Sequence, residues 1–326
     1  MSITRRAILG TAAAAMAGAT PAMAQQCEIG PPKHPKGPLV FMDYDQVELD
    51  AAYRQELYQP LGERVRDRLY VASGDARDRI GEPLRQRYGQ AEVETLDIYR
   101  TDRAKAPIFV FIHGGTWRSG SAWEAGYPAE MFVNAGAHYI AVDFASVTTV
   151  DGDLGVLAAQ VRRAIAWVHR NSSSFDGDPA RLYVGGHSSG GHLCAVALVT
   201  DWQAEFGLPA DAIKGGLCMS GLYEMEPVRL SYRREYIAFT DEVADAMSPQ
   251  RHIDKLAAPI VVSHGTFETP EFQRQARDFA AAVEAAGKPV KLIEGNYHHD
   301  EMAETLGNPY GPNGRAALTM MELAKA

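Results

Sequence analysis

With 326 residues, the chain is long enough for one large α/β domain or two small ones. Its 46% hydrophobic and 22% charged residues are typical of a globular protein. The formal net charge of −9 disfavours a general nucleic-acid-binding role, and the body of the chain has no run of 18 or more apolar residues that would form a membrane span.

The first 24 residues have the pattern of an export signal. Arg5 and Arg6 form a twin-arginine pair before an apolar, Ala-rich run, and Ala22-Met23-Ala24 matches an A-x-A cleavage site. We expect cleavage after Ala24 and a periplasmic or secreted protein, although an uncleaved amphipathic or disordered terminus is the alternative. Loss of the two arginines would take the formal charge from −9 to −11.

The mature chain is predicted to begin with an extended lead-in over residues 25–38, rich in proline and glycine. Residues 39–326 then form one domain, whose residues 39–90 have the helical spacing of two or three surface helices. Three cysteines leave at least one thiol free, and the sequence does not decide whether any are paired: Cys27, Cys194 and Cys218.

The first chemical motif follows a fully apolar strand, Ile108–Ile112, of the kind found in a parallel sheet covered on both faces. The next residues are His113-Gly114-Gly115-Thr116-Trp117. Glycines let backbone N–H groups approach a carbonyl oxygen that becomes negative during acyl transfer. We therefore predict an oxyanion hole formed by four backbone amides: Gly114, Gly115, Thr116 and Ser189.

The second motif is Gly186-x-Ser188-x-Gly190, between the apolar strand 181–184 and an apolar, Ala-rich helix over 193–199. Strand, sharp turn and helix are the context of a nucleophile elbow, which raises a serine hydroxyl above the edge of a sheet. We predict Ser188 as the nucleophile. A simple Gly/Ser turn between a strand and a helix is the alternative.

Strands and helices alternate along the chain, which predicts a mostly parallel sheet with helices on both faces, the α/β-hydrolase architecture. Residues 222–256 break this alternation with charged and aromatic residues, and we expect them to form a small helical cap over the elbow. A substrate pocket is predicted from Trp117, Tyr53, Tyr223 and His299.

The acid and base should follow Ser188 in the chain, in the order serine, acid, histidine. Glu268 follows the strand 259–263 and His298 follows the strand 289–293, so these two complete the predicted triad. His299 is the alternative base. A metal site formed by His298, His299 and Asp300 is a further alternative, but its spacing is not that of a helical metal motif, and we expect no metal or cofactor.

Five motifs together resemble the arylformamidase (kynurenine formamidase) branch of the α/β-hydrolase superfamily, which adjoins the hormone-sensitive-lipase-like esterases. They are His113–Trp117, Gly186–Leu193, Glu268–Phe272, Gly295-x-x-His298 and the segment from Tyr44 to Tyr53. This resemblance implies hydrolysis of a small ester or an aryl formamide through an acyl-enzyme. Position 268 carries Glu where the family usually has Asp.

Three interpretations of function stay open at this point. The first is a serine hydrolase acting on a carboxylic ester or an aryl amide, and the second is a kynurenine formamidase in the strict sense. The third is a non-catalytic binding module on a hydrolase scaffold, since a fold does not guarantee its chemistry. The expected partner is a small molecule, possibly aromatic, and the sequence is compatible with a homo-oligomer.

Overall fold

The computed structural model describes residues 29–324, and the predicted export signal, its cleavage site and Cys27 lie outside this range. The strands are β1 (Leu39–Phe41), β2 (Tyr44–Asp45), β3 (Leu84–Arg87), β4 (Thr95–Tyr99), β5 (Ala106–Ile112), β6 (His138–Val142), β7 (Gly177–His187), β8 (Gly216–Met219), β9 (Ile260–Gly265) and β10 (Val290–Gly295). The helices are α1 (Gln46–Ala51), α2 (Gly62–Ile80), α3 (Ala129–Asn134), α4 (Leu154–Asn171), α5 (Ser189–Leu198), α6 (Trp202–Phe206), α7 (Glu226–Leu230), α8 (Asp241–Ala246), α9 (Pro270–Ala285), α10 (His299–Glu304) and α11 (Pro312–Met320).

Eight strands form the central sheet, in the order β10-β9-β8-β7-β5-β6-β4-β3. Every neighbouring pair from β10 to β6 is parallel, and β4 pairs antiparallel with both β6 and β3. The predicted mostly parallel sheet is therefore confirmed. The carboxyl ends of its parallel strands meet at one edge, where loops from different strands can place side chains together.

Strand β5 shows why the sheet is covered on both faces. Successive side chains of a strand point to opposite faces. Ile108, Val110 and Ile112 pack in the cluster that includes apolar residues of α4, α5 and α9, whereas Phe109 and Phe111 pack in a second cluster with residues of α3 and α11. Burying one such side chain contributes about 1.5–3 kcal/mol, so a continuous apolar run favours this central position.

The N-terminal region departs from the prediction of helices alone over residues 39–90. Helices α1 and α2 form, but the strands β1 and β2 precede them and β3 follows them at the edge of the central sheet. The sequence of β3, LRQR, has no apolar pattern because much of it is exposed. It is held by antiparallel pairing with β4 and by an ion pair of 2.7 Å between Arg85 Nε and Asp97 Oδ1.

Two further features bear on the site. Between β8 and β9, where the sequence predicts a cap, the chain forms the short helices α7 and α8 together with 3-10 turns. Strand β7 begins at Gly177, four residues before the apolar strand predicted over 181–184.

No helix among residues 29–324 has the length and apolarity needed to cross a membrane.

Candidate active site

A cavity of about 540 Å³ lies at the carboxyl edge of the sheet. The loop after β5, the end of β7 and the start of α10 all contribute to its wall. Residues from both chemical motifs line it, together with a histidine that follows β10: His113, Gly114, Gly115, Thr116, His187, Ser188 and His299. The two motifs therefore lie at one site, as the sequence predicts.

Ser188 occupies a strained turn between β7 and α5. Its φ and ψ angles are 58° and −124°, a region that residues with a Cβ rarely adopt. Its N–H donates to Met219 O at 2.9 Å, and its C=O accepts from the His192 N–H at 3.0 Å. The backbone of the turn is thus fixed from both sides while the side chain lines the cavity.

The two glycines of the elbow are required by close backbone contacts. A Cβ on Gly186 would lie 2.1 Å from Gly190 O, and a Cβ on Gly190 would lie 2.1 Å from Ile112 O. These contacts hold α5 against the end of β5, which brings the nucleophile next to the loop that follows. A Cβ on Gly114 in that loop would lie 3.1 Å from Ser188 Cβ.

Glu268 and His299 contact each other at the site through a short, buried hydrogen bond. His299 Nδ1 lies 2.8 Å from Glu268 Oε2, and both side chains are buried. The other carboxylate oxygen of Glu268 accepts from Ser220 Oγ and from the Gly265 N–H, each at 2.6 Å. Burial opposes ionisation of Glu268, but His299 and these hydrogen bonds outweigh it and lower the pKa of the carboxyl group.

The prediction of His298 as the partner of the acid is wrong. His298 immediately precedes α10, its N–H donates to Glu301 Oε2 at 2.8 Å, and its ring lies beside Phe267 with centroids 5.2 Å apart. The first residue of α10, His299, points to Glu268 instead. The residue predicted as the acid is thus paired with the histidine that the sequence offered as the alternative base.

His187 links His299 to the turn that carries Ser188. The rings of these two histidines lie 4.6 Å apart, and His187 directly precedes Ser188 in the chain. His187 Nε2 donates to His299 O at 3.0 Å, which links the elbow to the start of α10. Burial is the main cause that lowers the pKa of His187 to about 4, so this ring is neutral near pH 7 and serves as a support.

The loop after β5 has an unusual backbone at the residues predicted for the oxyanion hole. Gly115, Thr116 and Trp117 all have positive φ angles, of 116°, 57° and 61°. Among the described residues, the N–H groups of Gly114, Gly115, Thr116 and Ser189 have no hydrogen-bond acceptor. His113 braces the loop through a contact of 2.8 Å from its Nδ1 to Gly114 O.

Two of the four residues predicted to line the substrate pocket do not line it. Trp117 is buried, and its Nε1 donates to His192 Nδ1 at 3.1 Å. Tyr223 is buried as well, stacked on Phe279 with centroids 4.3 Å apart. Both aromatic side chains pack in the core beneath the site and do not reach the cavity. Tyr53 and His299 do line the cavity.

Several known proteins are similar to this chain. The model of the BD-FAE family matches residues 96–214. Kynurenine formamidase from Danio rerio is 35% identical over 212 residues, which cover 63% of this chain and 70% of that protein. The chain belongs to the kynurenine formamidase-like family of α/β-hydrolases.

More distant matches extend to esterases. Esterase LipC from Mycobacterium tuberculosis is 28% identical over 225 residues, covering 62% of this chain and 55% of the esterase. A solved structure from Silicibacter sp. tm1040 superposes with a TM-score of 0.72 at 21% identity, covers 86% of this chain and 99% of its own, and supports the fold. The chain is thus an α/β-hydrolase related to a formamidase and to an esterase.

The acids near the triad have structural roles in this member of the family. Glu271, in the first turn of α9, accepts from Arg274 Nε and Nη2 at 2.8 and 2.7 Å. Asp300 accepts from Arg66 Nη1 at 2.7 Å and from Gln59 Nε2 at 3.0 Å. Each carboxylate is therefore bound by an arginine and supports the structure around the site.

The alternative metal site at His298, His299 and Asp300 is not formed as a cluster. In residues 29–324, the three-residue group whose ligand atoms lie within 4.8 Å of one another is His34, Asp45 and Glu48. The side chain of Asp45 there caps α1, and the Lys36 ammonium contacts Glu48. Neither arrangement places a set of metal ligands at Ser188.

Sequence reasoning missed Arg233. This cap residue lines the cavity although it is only 2% exposed. Arg233 lies between Tyr232 and Tyr236, in the aromatic segment that the sequence predicts as a cap. This position is the one feature of the sequence that points to the arginine.

Proposed function

We propose that the protein is a serine hydrolase that cleaves a carboxylic ester or an aryl amide through an acyl-enzyme on Ser188. His299 is the base and Glu268 the acid that holds it. The observation that carries this proposal is the 2.8 Å contact between Glu268 and His299, which lines the same cavity as Ser188.

The roles follow from the chemistry of the three side chains. A serine hydroxyl is a weak nucleophile at neutral pH and needs a base beside it. With Nδ1–H donated to the Glu268 carboxylate, His299 carries its free lone pair on Nε2, which takes the Ser188 proton as Oγ attacks the carbonyl carbon. Glu268 holds the ring in this tautomer and stabilises the imidazolium that results.

The negative charge on the carbonyl oxygen is stabilised by backbone amides without acceptors of their own. We assign this role to the N–H groups of Gly115 and Ser189, with Gly114 and Thr116 beside them. Ser189 begins α5, whose helix dipole adds positive potential there. Loss of one such donor in other hydrolases costs about 10²–10³ in kcat.

The imidazolium then protonates the leaving alcohol or amine, and the acyl group stays on Ser188 Oγ. In the second half of the reaction, His299 takes a proton from water, and the hydroxide equivalent attacks the acyl carbon. Collapse of that intermediate breaks the bond to Ser188, returns the proton to its oxygen and releases a carboxylic acid.

Labelling with a fluorophosphonate tests the nucleophile. We expect one adduct per chain, located on Ser188 by peptide mass spectrometry, and no adduct in Ser188→Ala. Ser121→Ala is the matched control, since Ser121 also lines the cavity but lies outside the elbow. Absence of labelling in the folded wild-type protein would favour a non-catalytic binding module.

Kynurenine formamidase activity in the strict sense is the second candidate. It is favoured by the 35% identity to the enzyme from Danio rerio. Comparison of kcat/KM for N-formyl aryl amides and for acetyl esters of matched phenols separates the two. A clear preference for the formamides would support the strict assignment, and a preference for the esters would support the broader one.

A further inference from the structure

We infer that Arg233 binds a carboxylate group of the substrate, so that the natural substrate is an anionic ester or amide. This inference rests on the proposed function, because it concerns the cavity that contains Ser188. It starts from a guanidinium that is 2% exposed, lines that cavity and has no acidic partner within 4.0 Å among the described residues.

Only some of the N–H donors of the Arg233 side chain have hydrogen-bond acceptors. Nη2 donates to Tyr53 O and Nη1 donates to the Tyr236 hydroxyl, each at 3.1 Å. Nε is buried and has no partner in the described part of the chain. A guanidinium offers five N–H donors, and a buried charge with neutral partners alone is costly. The site is therefore built for a group that supplies the missing negative charge.

A second buried arginine shows how the chain compensates such a charge when no ligand is involved. Arg77 is 6% exposed, and its Nη2 lies 3.4 Å from Asp97 while its Nε lies 3.6 Å from Glu82. Arg77 thus lies near two carboxylates, whereas Arg233, which is buried as deeply, lies near none among the described residues.

The three aromatic rings packed around Arg233 supply no hydrogen-bond acceptor to its Nε. The guanidinium carbon lies 5.3 Å from the ring centroid of Trp117, 5.7 Å from that of Tyr232 and 5.9 Å from that of Tyr53. Cation–π contacts at these distances offset part of the burial cost but form no hydrogen bonds. A carboxylate can accept two N–H groups of a guanidinium together, which matches the unmet need.

The carboxylates of the cavity are already engaged by other groups. Asp300 is bound by Arg66, Glu124 accepts from the Ser121 hydroxyl at 3.1 Å, and Glu56 lies 3.5 Å from Arg54 Nη1. At the cap, Arg118 lies over the ring of Tyr236 at 4.4 Å and adds a second positive charge near Arg233. Arg233 and Arg118 thus both contact Tyr236, and these two positive charges favour an anion beside them.

The test compares substrates that differ only in charge. We would measure kcat/KM for the 2-, 3- and 4-isomers of acetoxybenzoate and of the neutral acetoxybenzamide. For the isomer that reaches Arg233, the wild type should prefer the carboxylate at least tenfold. Arg233→Met should reduce this preference about 10- to 100-fold, the range of a charged hydrogen bond. The exposed neighbour Arg234 provides the control, and Arg234→Met should keep the preference.

Equal kcat/KM for the acid and the amide in all three isomers, or a preference that persists in Arg233→Met, would overturn the inference. If Arg233→Met does not fold, Arg233→Lys keeps the charge but loses the planar fork, and should still reduce the preference.

An assay without turnover separates this inference from the proposed function. Benzoate should raise the unfolding temperature of Ser188→Ala, while benzamide at the same concentration should not. This result would support an anion site even if the fluorophosphonate test failed. Equal shifts with both compounds would contradict the site while leaving the hydrolase proposal intact.

Discussion

Among the single residues of the site, Glu268 accepts hydrogen bonds from three different groups. Its two oxygens accept from His299, Ser220 and Gly265, so the carboxylate is both oriented and kept ionised. A glutamate side chain is one methylene longer than the aspartate usual in the resembled family. Here the Gly265 N–H and the Ser220 hydroxyl, each 2.6 Å from Glu268 Oε1, hold the longer side chain in place.

Glu268→Gln tests this role. The amide cannot accept on the side where its NH2 group lies, so it either loses the Ser220 and Gly265 donors or presents NH2 to His299. We expect kcat to fall by about 10²–10⁴ while the fold is kept. Steady-state kinetics with an aryl ester measures the fall. An unchanged kcat would remove Glu268 from the triad.

At the scale of elements, His192 joins three segments beneath the site. Trp117 Nε1 can only donate, so His192 Nδ1 is the acceptor of that bond and Nε2 donates to Met247 O at 2.8 Å. The loop after β5, helix α5 and the end of α8 are therefore connected through one neutral imidazole. We interpret His192 as the residue that fixes the positions of the loop after β5 and of the cap relative to the turn at Ser188.

This connection predicts a pH dependence of stability. Burial lowers the pKa of His192 to about 4 from an ordinary 6.5. A lowered pKa in the folded state means that stability is present above pH 6.5 and is lost as the pH falls, because the unfolded chain takes up the proton first. The loss from His192 reaches about 2–3 kcal/mol near pH 4.5.

Urea denaturation at pH 7 and pH 4.5 measures the effect. The free energy of unfolding should fall less between these values in His192→Gln than in the wild type. His252→Gln, at a half-buried cap position, is the control and should behave like the wild type. His187 has a pKa lowered in the same direction, so part of the loss remains in both variants. Identical falls in the wild type and His192→Gln would contradict the assignment.

At the scale of the whole molecule, export through a twin-arginine signal remains a proposal. It rests on Arg5, Arg6 and the Ala22-Met23-Ala24 pattern, all outside the described residues. We expect a mature N-terminus at Gln25 in the periplasmic fraction, measured by mass spectrometry of the intact protein. Arg5→Lys combined with Arg6→Lys should leave the uncleaved chain in the cytoplasm. Accumulation of the mature form there would contradict the proposal.

Much of the architecture could be predicted because local sequence and tertiary structure agree. The run from Ile108 to Ile112 is apolar at every position since both of its faces are buried, and the glycines around Ser188 are required by backbone contacts. Strand β3 could not be predicted, because an exposed edge strand is held by its neighbour and carries no apolar pattern of its own.

The site shows the same division. The sequence places Ser188, Glu268 and a histidine pair in the right loops, but it cannot decide between adjacent histidines. His298 has an extended backbone just before α10, whereas His299 is the first helical residue. This change of backbone conformation directs His299 to Glu268 and His298 to Phe267. Arg233 was missed for a related reason, since its burial depends on how the cap folds back over Tyr53.

The measurement that tests the account most directly compares two single variants, His299→Ala and His298→Ala, with the same aryl ester. His299→Ala should lose about 10⁴-fold or more in kcat, because Ser188 then has no base. His298→Ala should retain activity within about tenfold, since its ring contacts neither the acid nor the cavity wall, and circular dichroism should show both variants folded. An active His299→Ala beside an inactive His298→Ala would contradict the account.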